Sequence, residues 1–186
     1  MIDVLPPDTD RLSFRRFRAD DLDPMHSYQS REDYAQYAWR GPRSRADCER
    51  AIAENSGLRP WGRDGDHVRF AVTPRGGDEL VGEIVMTLVD AHAAQVEIGW
   101  VVHPEHTGQG YASEAARAAI RFAFGPLGAH RVRASLDALN ISSAKVCERL
   151  GMRLEATLRE SHHQLGQWRD ELVYAVLAEE FLAEES

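Results

Sequence analysis

The stretch Gln95–Val102, QVEIGWVV, runs into residues 103–114, HPEHTGQGYASE, and an alanine-rich segment follows. Apolar residues dominate residues 95–102, and their composition predicts a β-strand. Residues 111–124 carry small apolar side chains at helical spacing, which predicts a helix that approaches a sheet closely. Those side chains are Ala112, Ala115, Ala116, Ala119, Ile120 and Ala123. Gly108 and Gly110 lie in the turn between strand and helix, and this unit decides the fold class.

Further strands and helices are predicted on both sides of that unit. Strand patterns occur at residues 11–18, 67–73, 80–89, 130–137, 154–163 and 170–177. Capping and breaking residues predict helices at 25–37, 45–55 and 140–150. Because strands and helices are mixed along a chain of 186 residues, we expect a single α/β (α+β) domain over residues 1–186.

The amino-acid composition limits the kinds of partner that the protein is expected to bind. The chain has 22 Lys and Arg against 30 Asp and Glu, a net charge of −8. An acidic protein is a poor candidate for nucleic-acid binding, which depends on basic residues, but it attracts cationic substrates such as amines. Cys48 and Cys147 lie far apart and are typical of reduced thiols. No apolar run reaches the roughly 18 residues of a membrane span, and no signal peptide is evident, so we expect a cytoplasmic protein without a membrane partner.

The glycine turn has the chemistry of an anion site. Gly108 and Gly110 permit backbone angles closed to other residues, and free N–H groups at a helix start attract phosphate. Glycines at such a position are also common in plain tight turns. Spacing alone therefore leaves both interpretations open.

Two motifs resemble the GNAT superfamily of N-acetyltransferases. Residues 106–112, HTGQGYA, are similar to its acetyl-CoA signature, Arg/Gln-x-x-Gly-x-Gly/Ala, with Thr107 at the Arg/Gln position. Residues 140–143, NISS, followed by Gly151 and Met152, resemble its second CoA element. The segments TDRLSFR at 9–15 and GQWRDELVY at 166–174 resemble the ribosomal-protein N-terminal acetyltransferase (Rim-type) branch.

This resemblance implies a fold, a cosubstrate and a binding surface. We expect the GNAT fold, a mixed and mostly antiparallel sheet flanked by helices, with the strands at 95–102 and 130–137 splayed apart to admit acetyl-CoA. It also implies a possible homodimer. The expected cosubstrate contacts are Trp100, Val101, Val102, Thr107, Gly108, Gln109, Gly110, Tyr111, Ala112, Ser113, Asn140 and Ser143.

Acetyl transfer to an amine needs a base, because amines are mostly protonated near neutral pH. The resemblance implies Glu97 as that base, in the strand before the glycine turn, with Glu83 as the alternative. Backbone N–H groups near Trp100–Val102 are expected to bind the thioester oxygen. For the leaving sulfur, Ser143 and Cys147 are the two candidate proton donors.

The resemblance implies that five aromatic residues lie in the segments around the acceptor cleft. They are Trp39, Trp61, His162, His163 and Trp168. His162 and His163 are adjacent, so on a strand they point to opposite faces and do not form a metal site. A protein N-terminus, an antibiotic and a small amine remain open as acceptors. A catalytically silent acyl-CoA-binding module is the alternative to an enzyme.

Overall fold

The computed structural model describes residues 1–184, which form seven strands, six α-helices and two short 3₁₀ helices. The strands are β1 Leu12–Arg15, β2 His67–Pro74, β3 Gly82–Asp90, β4 Gln95–Val102, β5 Arg131–Asp137, β6 Arg153–Gln164 and β7 Gln167–Leu177. The helices are α1 Leu22–Gln29, α2 Glu32–Ala35, α3 Arg45–Asn55, α4 Tyr111–Phe124, α5 Ile141–Arg149 and α6 Ala178–Glu184.

All seven strands join one sheet, in the order β1-β2-β3-β4-β5-β7-β6. Within residues 1–184, β4 and β5 form its one parallel pair, and the other neighbours are antiparallel. Parallel neighbours need a crossover connection, and α4 provides it. The predicted mixed, mostly antiparallel sheet is confirmed.

The strands β4 and β5 separate part of the way along their length. They pair from Gln95 opposite Arg131 to Glu97 opposite Arg133. Beyond that point β4 continues to Val102 beside β3, and β5 continues to Asp137 beside β7. This separation confirms the expected splay and opens the sheet at the end of β4 that leads to the glycine turn.

The alanine face of α4 packs against the sheet as predicted. Ala116, Ala119 and Ala123 have no exposed surface, and Ala115 is 3% exposed. Small side chains let the helix backbone lie close to β4, while Ile120 and Phe122 fill the core beside it. This packing fixes the start of α4 next to the gap between β4 and β5.

The structure differs from the predicted elements in three places. The single helix expected at 25–37 is two helices, because Arg31 adopts an extended conformation between α1 and α2. The first strand ends at Arg15 rather than 18, since Arg18 already begins the next turn by bonding to Asp21. Helix α6 was not predicted, and tertiary packing of Phe181, 1% exposed, stabilises its polar sequence.

Candidate active site

Two connected cavities occupy the gap between β4 and β5. The larger has a volume of about 820 Å³ and the smaller about 240 Å³. They meet at a set of residues from the segment after α1, from β4 and from the start of α5. These junction residues are Tyr34, Tyr37, Ala38, Trp100, Val101, Asn140 and Ser143.

The glycine turn lines the larger cavity. Gly108 and Gly110 have φ of 78° and 82°, in the left-handed region that favours glycine. Gly110 is the N-cap of α4 and has no side chain to cap the helix. The first intrahelical bond runs from Glu114 N to Gly110 O, 3.1 Å. The preceding helical N–H groups, those of residues 111–113, are therefore available to a ligand.

Ser113 adds an unpaired hydroxyl to these N–H groups. Its Oγ is buried, lines the larger cavity and has no partner among residues 1–184. A buried polar atom without a partner is costly, so its position indicates an absent ligand. The free N–H groups and the positive end of the helix dipole favour an anionic one.

A network anchored in the N-terminal segment holds the glycine turn. Glu114, in the first turn of α4, accepts hydrogen bonds from Thr9 Oγ1 at 2.6 Å and from Arg11 Nε at 2.7 Å. Arg11 also donates to Gln109 O, 3.0 Å, and lies over the Tyr111 ring. Gln109 is thus the predicted contact that lines neither cavity, because its carbonyl faces Arg11. The remaining predicted contacts all line the larger cavity.

Helix α5 forms the opposite wall. Asn140 Oδ1 caps it by accepting from Ser143 N, 3.1 Å, which leaves the Asn140 amide donors for a ligand. Lys145 and Arg149, four residues apart on one face of α5, also line the larger cavity. These two cations were not predicted as part of the site. Their spacing of four residues on the predicted helix places them on one face, which was the available signal. Cations, free N–H groups and the Ser113 hydroxyl together fit the pyrophosphate and phosphate groups of CoA.

Glu97 lines the smaller cavity and is paired. Its Oε2 accepts from Arg133 Nε at 2.8 Å, and Ser135 Oγ lies 3.4 Å away. The strand pattern predicted apolar surroundings, but β5 contributes this arginine across the parallel pair. Arg133 and Ser135 thus hold the Glu97 carboxylate at the wall of the smaller cavity.

Glu83, the alternative base, lies outside both cavities. It is fully buried and receives hydrogen bonds from Tyr28, Gln29 and Arg69, the last at 2.7 Å. Burial and the Glu83 charge raise the pKa of Tyr28 well above its ordinary value. Glu83 therefore serves to hold the residues of α1 and β2 beside the cavity.

Cys147 cannot reach the cosubstrate. Its side chain is fully buried in the main core, and burial raises the pKa of the thiol to about 12. The prediction that it is a candidate proton donor was wrong, because α5 turns this residue toward the sheet. Ser143, four residues earlier, lines both cavities.

Of the five predicted acceptor residues, Trp39 lines the smaller cavity. Its ring lies 3.7 Å from that of His162, which bonds to Glu171 at 2.7 Å. Trp39 has φ of 54°, a strained backbone conformation of the kind that occurs at functional sites.

The other three residues lie elsewhere. Trp61 packs against the main core and lines neither cavity. His163 contacts Trp168, which is 63% exposed in the hairpin of β6 and β7. None of the helices within residues 1–184 has the length and apolar character needed to cross a membrane.

Comparison with known proteins identifies the family. The family model for the acetyltransferase (GNAT) domain matches residues 11–153. Over 173 residues the chain is 32% identical to Uncharacterized N-acetyltransferase YnaD of Bacillus subtilis (strain 168), covering 93% of this chain and 97% of the relative.

Solved structures agree with that match. A GNAT-family acetyltransferase from Bacillus anthracis has a TM-score of 0.83 at 32% identity, covering 93% of this chain and 98% of the other. Spermidine N-acetyltransferase from Vibrio cholerae, in complex with CoA and spermine, has a TM-score of 0.78 at 21% identity, covering 94% and 99%, and shows the shared fold. The chain belongs to the GNAT family and is an acetyl-CoA-dependent N-acetyltransferase.

Proposed function

We propose that this protein transfers an acetyl group from acetyl-CoA to a primary amine by direct attack in a ternary complex. The observation that carries the proposal is the junction of the two cavities at Trp100, Val101, Asn140 and Ser143. A cosubstrate in the larger cavity and an acceptor in the smaller one meet there, so one reactant is within reach of the other without leaving the protein.

The larger cavity binds the cosubstrate in this proposal. The N–H groups of residues 111–113 and the Ser113 hydroxyl donate to the pyrophosphate, while Lys145 and Arg149 balance its charge. Asn140 donates its amide hydrogens to the pantetheine arm. Acetyl-CoA supplies an activated acetyl group when bound, and the chain supplies orientation and proton transfer.

Glu97 is the proposed base. Its carboxylate pairs with Arg133, and the residue lines the cavity that holds the acceptor in this proposal. It accepts the proton of the acceptor ammonium, directly or through a water, and so yields the neutral amine that attacks. Glu83 lacks this access because its oxygens are already bonded inside the protein.

Ser143 is the proposed donor to the leaving sulfur. Its hydroxyl faces both cavities, and no hydrogen bond to its Oγ occurs within residues 1–184. Backbone N–H groups at Trp100–Val102 stabilise the oxyanion, since past Glu97 the edge of β4 facing β5 has no strand partner in that range.

The acceptor is proposed from the residues that line the cavity and not from the resemblance to the Rim-type branch. The spermine bound by the Vibrio cholerae relative supports an amine acceptor. The Rim-type branch and the homodimer stay predictions, and light scattering that gives a concentration-independent monomer mass would refute the dimer. Binding of acetyl-CoA alone, without turnover, would leave the position of Glu97 in the smaller cavity unexplained.

Two measurements test the proposal. Calorimetry is expected to show one acetyl-CoA bound per chain, and a thiol-release assay with an amine panel is expected to show acceptor-dependent CoA production. Binding without acceptor-dependent turnover of any amine would instead support a silent acyl-CoA-binding module. Absence of acetyl-CoA binding would contradict both.

A further inference from the structure

The acceptor cavity carries an unusual charge for this protein. The chain has a net charge of −8. Yet the charged side chains that line the smaller cavity are Arg40, Arg69 and Glu97. Positive charge at one cavity of a negatively charged protein indicates that the cavity binds a ligand with a negative group.

Two of these charges are already compensated. Arg69 pairs with the buried Glu83 at 2.7 Å, and Glu97 pairs with Arg133 at 2.8 Å. Neither pair leaves a net charge in the cavity. A polyamine, which needs carboxylates for its additional ammonium groups, would meet no uncompensated carboxylate here among the described residues.

Arg40 is the cation that remains. Within residues 1–184 it has no carboxylate partner within 4 Å, and its Nη2 bonds to neutral groups, Gln29 Oε1 at 3.0 Å and Tyr34 Oη at 3.4 Å. The guanidinium also lies 5.5 Å from the centroid of the Tyr34 ring. These contacts fix the orientation of the guanidinium. Its Nη1 also donates to Gly41 O, while its Nε–H has no acceptor within residues 1–184.

A second arginine reinforces the positive potential. Arg43 Nη1 is buried without a hydrogen-bond partner in the described chain. Burial and the neighbouring Arg69 and Arg40 lower the pKa of Arg43, which shows that positive charge accumulates at this place. Glu171 does not balance it, because Glu171 bonds to His162 and lies outside the lining of the cavity.

The neighbouring walls are aromatic and the space is small. Tyr34, Tyr37 and Trp39 line the cavity, and Gly99 leaves open space above β4 where a side chain would stand. The volume of about 240 Å³ is below the roughly 300–1,000 Å³ of pockets for drug-sized ligands. A compact acceptor with one anionic group matches this shape and charge.

Resting on the proposed function, we propose that the acceptor is a small primary amine that also bears a carboxylate, with the carboxylate bound by Arg40 and the amine directed toward Glu97. A planar guanidinium with free N–H donors is the protein group best suited to a carboxylate. The carboxylate replaces the counter-ion that Arg40 lacks. Simple amines and polyamines lose this contact and retain only the aromatic walls.

The test compares matched acceptors in the thiol-release assay. The probes are the neutral amino acids that have a primary amine, β-alanine and γ-aminobutyrate, each paired with the amine that lacks its carboxylate, together with spermidine. We expect at least one carboxylate-bearing acceptor to exceed its partner by about 10- to 100-fold in kcat/KM, the range of a hydrogen bond to a charged group. Equal or better turnover of the decarboxylated partners or spermidine would overturn the inference.

Variants of Arg40 distinguish binding of the acceptor carboxylate from a purely structural role of this side chain. Arg40→Met is expected to raise KM for the carboxylate acceptor while leaving KM for its decarboxylated partner within about twofold, and Arg40→Lys is expected to restore part of the preference. The matched control is Arg50→Met, which removes an exposed arginine of α3 paired with Asp47. An equal loss for both members of each pair would mean that Arg40 only braces Gln29 and Tyr34, and would overturn the inference.

Binding is measured separately from turnover. Calorimetry on the protein saturated with CoA is expected to detect the carboxylate acceptors and not their partners. Failure of every carboxylate probe to bind would overturn the inference. The proposed function itself fails only if acetyl-CoA does not bind or no amine of either class is acetylated, so the two failures are distinguishable.

Discussion

Replacing Glu97 by glutamine removes the proposed base and keeps the shape of the side chain. The glutamine still accepts a hydrogen bond from Arg133 through its oxygen, but it cannot take a proton from the acceptor ammonium. Turnover is therefore expected to fall by about 10²- to 10⁴-fold at pH 7, the range for a lost general base. Acetyl-CoA affinity is expected to remain unchanged, because Glu97 lines the smaller cavity and not the larger one.

The structure predicts that the fold tolerates this change. In the Glu97–Arg133 pair the side chains are 32% and 36% exposed, so solvent screens their attraction. Ion pairs in this setting contribute about 0–1 kcal/mol to the free energy of unfolding. The loss of turnover, at 1.4 kcal/mol for each factor of ten, is equivalent to about 3–5 kcal/mol and so exceeds any loss of stability.

The assay measures CoA release as a function of pH. The defect is expected to shrink as the pH rises toward about 10, where an alkyl amine deprotonates without help. The matched control is Glu155→Gln, which alters the Arg131–Glu155 pair on β5 and β6 outside both cavities. Wild-type turnover of Glu97→Gln at pH 7, or a defect that does not change with pH, would refute the assignment of Glu97.

Three further changes test the cosubstrate cavity and the sheet beside it. Gly110→Val is expected to weaken acetyl-CoA binding in calorimetry by at least tenfold, because the residue has φ of 82° and its backbone faces the ligand; full affinity in a folded variant would remove the glycine turn from the site. Gly82→Ala is expected to lower the free energy of unfolding by about 1–3 kcal/mol in denaturant titrations, because its Cβ would lie 2.4 Å from Val101 O. The control is Gly57→Ala, whose Cβ would lie in open space and which is expected to be neutral. Asn140→Ala is expected to cost about 1 kcal/mol as a lost helix cap and to raise KM for acetyl-CoA as well; a stability loss with normal KM would leave the cap as its only role.

Local sequence was sufficient for the strand, glycine turn and helix of the cosubstrate site. The alternation in β4, the two glycines and the alanine spacing of α4 act over a few residues each, so the pattern predicts them directly. Asn140 as a helix cap is local for the same reason. The resemblance to the GNAT superfamily rested on these same segments, and the fold confirmed it.

Long-range packing decided the rest. Arg133 reaches Glu97 only because β5 pairs with β4 across 36 positions of the chain, and Arg11 reaches Glu114 across more than a hundred. Neither pair follows from any spacing along the sequence. The same packing turned Cys147 into the core, against prediction.

By itself, the sequence determined the class of fold, the glycine turn and the family, because each depends on short segments whose conformations are set by neighbouring residues. The tertiary structure alone decided which glutamate lines the smaller cavity, which cations line the larger one and that Arg40 has no carboxylate partner among residues 1–184. These properties depend on burial and on charges brought together from distant segments. Burial and charge pairing arise only when the whole sheet is assembled.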